Sequence, residues 1–128
     1  MSPNFVLGDS AGFVWITAAF DLLDDLLAIH GTVTLSETSA SLEMITSQVK
    51  VIQKMLTGPA GALQPREHAK ILRQMTETRA KMSKANLDTT VMDDLVASRM
   101  GVLNAILSER ADRQGVYNLW VHGLRISS

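Results

Sequence analysis

The chain contains no cysteine. Disulfide bonds, thiolate metal sites and cysteine nucleophiles are therefore excluded, and a reducing cytoplasm is compatible with the composition. Aromatic residues make up only 5% of the 128 residues, and the net charge is only −1. A nearly neutral chain has no bulk attraction for acidic or basic partners.

Long uninterrupted apolar runs are also missing. Asp21, Asp24 and Asp25 break the most apolar N-terminal stretch, so we expect no membrane span. No Lys or Arg precedes Lys50, so the basic segment that opens a signal peptide is absent and we expect no such peptide. These features predict a cytoplasmic protein, or one inside a particle assembled in the cytoplasm.

Motifs that carry chemistry are missing as well. The sequence has no nucleophile elbow, no Gly-rich phosphate loop and no dinucleotide fingerprint. Its three histidines lack partners at metal-ligand spacing, so we expect no metal, no cofactor and no enzymatic activity. The remaining enzymatic hypothesis is a site between helices that uses Asp21, Asp24 or Asp25 with Arg79 or Arg110.

Apolar residues at helical spacing are what the sequence does contain. Leu42, Ile45, Val49, Ile52 and Leu56 recur at alternating steps of three and four residues. This period places all five on one stripe of an α-helix. A lone helix cannot bury such a stripe, so the other segments must supply the packing partners.

Glycine and proline divide the chain into four such helices. We expect the first over Ala11–His30 with Gly31 in the left-handed stop position, and the second to end at Thr57. The third should begin at Pro65, and the fourth should run from Val91 to a stop at Gly115. The prediction is one all-α domain over residues 1–128, an antiparallel bundle of four main helices.

The two ends of the chain are predicted to lie outside the bundle helices. Residues 1–9 should form a short arm, because Pro3 and Gly8 interrupt regular structure. Residues 116–128 form an apolar tail for which both a strand and a short helix remain open. The tail is too apolar to remain free in water, so we expect it to dock on the bundle or on a partner.

The first and fourth helices carry more apolar or small residues than one core contact needs. The first helix has two adjacent apolar stripes, which consist of Phe13, Ile16, Phe20, Leu23 and Leu27, and of Trp15, Ala19, Leu22, Leu26 and Ile29. Such a helix is either central in its bundle or shared with another subunit. In the fourth helix, Ala97, Gly101 and Ala105 share one face, which predicts either a close crossing inside the bundle or a subunit contact. We therefore expect a homodimer or larger assembly, with interface candidates Trp15, Ala97, Gly101, Ala105 and Trp120.

The third helix has a basic face, on which only Glu77 interrupts the cations. Cations along one helix face can follow a phosphate backbone. No aromatic residue lies between these cations, so the face has no side chain on which a base could stack. The nucleic-acid candidates are Arg66, Lys70, Arg73, Lys81 and Lys84.

Two functional hypotheses follow. The first is a non-enzymatic interaction or assembly protein that acts as a homo-oligomer and has a protein partner. It would be an adaptor, a chaperone-like protein or a structural component of a larger particle such as a phage. The alternative is an RNA- or DNA-binding protein that uses the basic face of the third helix, for example in genome packaging or regulation.

Overall fold

The structure, a computed structural model, describes residues 10–58 and 63–127, with side chains through residue 110. It has four α-helices: α1 (Ala11–His30), α2 (Thr38–Thr57), α3 (Pro65–Lys84) and α4 (Thr90–Ser127). A 3₁₀ turn (Leu35–Glu37) leads into α2, and no strand occurs in the described part. The predicted all-α bundle of four helices is confirmed. The predicted arm, residues 1–9, lies outside the described residues.

The chain forms two antiparallel helical hairpins, α1–α2 and α3–α4. In the first hairpin, His30 contacts Ser41 and the Gln48 amide donates to the Ala19 carbonyl. In the second, the loop after α3 is short, and α3 packs against α4. The direction of the chain therefore alternates from helix to helix, as the short connections predict.

The two hairpins pack with α1 beside α3, and these two helices are parallel. Ser10, at the start of α1, contacts Glu67 at the start of α3, and Asp24 farther along α1 contacts Thr78 farther along α3. Helix α4 packs on α3 and also touches α2. Within the described residues α2 and α3 do not approach each other closely, so these consecutive helices lie diagonally across the bundle.

One stripe from each helix fills the core. All five residues of the first predicted stripe of α1 are buried, from Phe13 to Leu27. In α2 the stripe begins one residue earlier than predicted. Leu42 is 37% exposed, whereas Ser41 is buried and its hydroxyl lies 2.8 Å from Nδ1 of His30. The hairpin turn brings the start of α2 close to the end of α1, where a small polar side chain fits better than a leucine.

The prediction of a left-handed residue at the end of α1 is wrong. Gly31 has φ −66° and ψ −12°, and its N–H bonds to the Leu27 carbonyl, so the last turn simply continues. The left-handed residue is instead Asn86, with φ 59°, after α3. Asparagine tolerates this conformation better than most side chains because its short amide bonds locally to the backbone.

The predicted stop at Gly115 is also wrong. Helix α4 continues to Ser127 and has 38 residues. Its length is about 57 Å, at 1.5 Å per residue. One glycine inside a helix costs only about 1 kcal/mol, and no proline follows it. Residues 116–127 are therefore part of α4 rather than a separate tail, and their side chains, including that of Trp120, lie outside the described part.

A buried carboxylate joins the N-termini of the parallel helices α1 and α3. Glu67 accepts hydrogen bonds from the Ser10 N–H at 2.7 Å, the Ser10 hydroxyl at 3.0 Å and the Gln64 N–H at 2.7 Å. The Ser10 hydroxyl in turn caps α1 by accepting from the Phe13 N–H. Burial raises the pKa of Glu67, but these hydrogen bonds together lower it by more. The pKa of the carboxyl therefore lies below its usual 4.5. One negative charge thus serves two helix N-termini.

Replacing Glu67 with Gln should lower the free energy of unfolding by roughly 2–3 kcal/mol, because charge-assisted bonds to three donors are lost. The measurement is a urea titration followed by circular dichroism at pH 7. Glu77→Gln is the matched control, since Glu77 is exposed on the same helix. Equal midpoints for the two variants would contradict this account of Glu67.

Candidate interaction surfaces

Two residues of the second apolar stripe of α1, Leu22 and Leu26, line an open groove between α1 and α2. Trp15 is 67% exposed, Leu22 is 49% exposed, and Met44 on α2 is 56% exposed. We call this surface the hairpin groove, and its volume is about 500 Å³. Its lining residues are Leu22, Leu26, Ala40, Glu43, Met44, Ser47, Gln48 and Val51.

The groove stays open because α2 covers only the inner edge of this stripe. Ala19 is buried and Leu26 is half-buried, but Leu22 and Ile29 point farther from the core. The first stripe of α1 already fills the centre of the bundle. Trp15 lies two helical turns before Leu22 on the same face, so it extends the apolar surface beyond the groove.

A second apolar surface lies on α4. Arg99 is the last buried residue among the described side chains of this helix. Beyond it, Met100 is 48% exposed and Leu107 is 51% exposed, and Val102 is exposed as well. We call residues 100–127 the distal part of α4.

The small-residue face of α4 is open to solvent. Ala97, Gly101 and Ala105 are all exposed, and a Cβ placed on Gly101 would meet no atom within 4 Å. A close helix crossing at this face within the described chain is therefore ruled out. The subunit contact remains the other interpretation.

A buried polar cluster at one end of the bundle was not predicted from the sequence. Arg99 donates to Nδ1 of His68 at 2.8 Å and to the Leu56 carbonyl at 3.3 Å. Its Nε has no hydrogen-bond partner among the described atoms. The cation lies at the C-terminus of α2, where the helix dipole is negative. The cluster thus ties the end of α2 to α3 and α4. The spacing of Leu56, His68 and Arg99 in the sequence does not predict this contact.

The cluster fixes the protonation state of His68. Arg99 can only donate, so Nδ1 of His68 must accept and the proton lies on Nε2. Burial lowers the pKa of His68, and the Arg99 charge lowers it further, whereas a hydrogen bond to Leu63 and the charge of Glu67 act in the opposite direction. Burial also lowers the pKa of Arg99. His68 is therefore neutral near pH 7.

All five residues of the basic face are exposed, as a nucleic-acid interface would require. The face runs beside the carboxylates of α1, however. Lys81 pairs with Asp24 at 3.3 Å, and the Lys70 ammonium lies 5.8 Å from the centre of the Phe13 ring. Part of this positive charge is thus already balanced within the bundle.

The carboxylates of the enzymatic hypothesis contribute to helix packing. Asp24 accepts from the Thr78 hydroxyl at 2.9 Å, and Asp21 accepts from the Gln74 amide at 3.1 Å. Arg79 pairs with Asp93 at 2.7 Å rather than with any of these acids. No three metal-ligating side chains converge in the described part of the chain.

Comparison with protein families, curated proteins and solved structures gave no match. In the described residues, no helix has the length and apolar character that a membrane crossing requires. Functional inference therefore rests on the two apolar surfaces, the basic face and the buried cluster.

The lowered pKa of His68 predicts a loss of stability in acid. Between its usual pKa of 6.5 and its lower folded value, the unfolded chain binds a proton that the folded chain does not. The free energy of unfolding should therefore be constant above this range and decrease as the pH falls through it. Urea titrations from pH 8 to 5 test this, with His68→Gln as the comparison, because Gln can accept from Arg99 without titrating. If both proteins lose stability equally, His68 is not the cause.

Replacing Gly101 with Ala should raise helix stability by about 1 kcal/mol, because the new methyl group enters open space in a helix interior. Thermal unfolding followed by circular dichroism measures this. If a partner packs closely on this face in solution, the same change should weaken association while still favouring the helix. A decrease in the melting temperature of the dilute protein would show that the face is covered within the chain.

Proposed function

We propose that this chain is a non-enzymatic assembly protein that associates with copies of itself through the hairpin groove and the distal part of α4. The observation that carries the proposal is the exposure of two apolar surfaces on one chain of 128 residues. Large exposed apolar patches on soluble proteins mark sites of interaction. Such a protein would serve as an adaptor, a chaperone-like protein or a structural component of a larger particle.

The driving force would be the burial of these side chains. Full burial of a leucine, valine or methionine side chain is worth about 1.5–3 kcal/mol. Leu22, Met44, Met100 and Leu107 each keep about half of their surface exposed. Covering them together offers several kcal/mol before the entropy of association is subtracted. Trp15 adds a large aromatic surface, the type of residue enriched at the energetic centres of interfaces.

The polar groups of the chain support an assembly role over catalysis. The buried acid, Glu67, is committed to two helix N-termini, and the buried His68 is committed to Arg99. Asp21 and Asp24 hold α1 against α3. The absence of cysteine suits a reducing compartment, so we place the assembly in the cytoplasm or inside a particle formed there.

Nucleic-acid binding through α3 is the second candidate, and the exposure of all five cations favours it. Asp24 and Glu77 lie within or beside the same face, which weakens its attraction for phosphate. Binding of this kind would depend steeply on salt, because each neutralised phosphate releases counterions.

The proposal predicts a mass above that of one chain in solution. Light scattering on a sizing column, in low and high salt and with or without single-stranded RNA, measures it. The combined Leu22→Asp and Met44→Asp variant should shift towards the monomer and stay helical, because both side chains are exposed. Leu35→Asp is the matched control, since Leu35 is an exposed apolar residue outside the groove.

A salt-independent oligomer that ignores RNA would support assembly. A monomer at every concentration would reject self-assembly. An RNA-dependent mass that disappears in high salt would instead favour the basic face of α3.

A further inference from the structure

Resting on the proposed self-assembly, we infer that the distal part of α4 from one copy occupies the hairpin groove of a second copy. The groove and the described residues Met100, Val102 and Leu107 of α4 leave apolar side chains exposed. Each copy supplies one helix and one groove, so the two are present in equal number. An apolar helix surface in an apolar groove is a recurrent mode of recognition.

The distal part of α4 cannot reach the groove of its own chain. At Arg99, α4 lies beside the C-terminus of α2 and the first turn of α3. Helices α1 to α3 begin or end at this level, at Ala11, Thr57 and Pro65. Because α4 continues unbroken to Ser127, it proceeds past this end and does not turn back towards α1 and α2. A distal part of α4 that occupies this groove must therefore belong to another copy.

The dimensions of the two surfaces agree. The groove follows α2 from Ala40 to Val51, a length of about 17 Å at the rise of an α-helix. The described apolar residues of the distal part of α4 extend from Met100 to Leu107, about 11 Å along the axis. Two turns of α4 thus fit along the groove, with room for part of the following turn.

The charges of the two surfaces are complementary. The α1–α2 hairpin carries five acids and two lysines between residues 10 and 58, and Glu43 lies in the groove lining. The distal part of α4 carries three arginines and two acids, and Glu109 and Arg110 follow its described apolar residues within three positions. Contact between an acidic hairpin and a helix with excess arginine is favoured, whereas two acidic hairpins would repel each other.

The chain lacks cysteine, so single introduced thiols can locate the contact. Met44→Cys places a thiol in the groove, and Leu107→Cys places one on the distal part of α4; both side chains are about half exposed, so the bundle should tolerate them. The two full-length variants, one labelled with ¹⁵N, are mixed, allowed to exchange subunits and treated with a short thiol-specific crosslinker. Mass spectrometry of the digested product identifies the joined positions.

We expect the mixture to give at least ten times more crosslinks between positions 44 and 107 than a mixture of Leu35→Cys with Leu107→Cys gives between positions 35 and 107. Leu107→Cys alone should give few pairs. If Leu107→Cys alone crosslinks as efficiently as the mixture, α4 pairs with α4 and the docking mode is wrong, although self-assembly stands. If the unsubstituted protein forms oligomers but position 44 never crosslinks to position 107, the groove is not the contact. A wild-type protein that remains monomeric by light scattering overturns both this inference and the proposed function.

Discussion

The parallel packing of α1 on α3 depends on one buried negative charge. Parallel neighbouring helices bring two positive dipole ends together, which is unfavourable unless an anion lies between them. Glu67 supplies that anion and at the same time satisfies backbone donors of both helices. Because α1 and α3 belong to different hairpins, this contact also determines how the hairpins meet, and with it the diagonal placement of α2 and α3. The outer surface between α1 and α2 is left uncovered as a consequence.

The α1–α2 hairpin has an excess of acids and α3 has a basic face, and some of these charges pair within the molecule. The aspartates of α1 face the basic side of α3, where Asp24 meets Lys81 and Thr78. This contact accounts for one acid of the α1 cluster and one cation of the basic face. Exposed ion pairs of this kind contribute little to stability, generally under about 1 kcal/mol.

Helical periodicity was sufficient to predict the four helices, the core stripe of α1 and the excess apolar surface. It failed where long-range packing decides the outcome. Ser41 rather than Leu42 is buried, where its hydroxyl meets Nδ1 of His30, and Gly115 does not end α4 because one glycine is a weak breaker. The Arg99–His68 pair joins residues 31 positions apart, so no local pattern announces it. The exposed positions of Trp15 and Gly101 were predicted as interface candidates, whereas the groove beside them required the relative placement of α1 and α2.

The length of α4 links the fold to association. Its first three turns complete the four-helix core, and Arg99 closes that core by placing its cation at the end of α2. Beyond Arg99, the apolar side chains of Met100, Val102 and Leu107 are exposed, and an isolated helix in water is only marginally stable. A helix that continues beyond its own bundle gains most if its apolar face is covered by another molecule. Among the described residues, apolar side chains remain exposed both on α4 beyond Arg99 and in the hairpin groove, so one intermolecular contact would cover both surfaces.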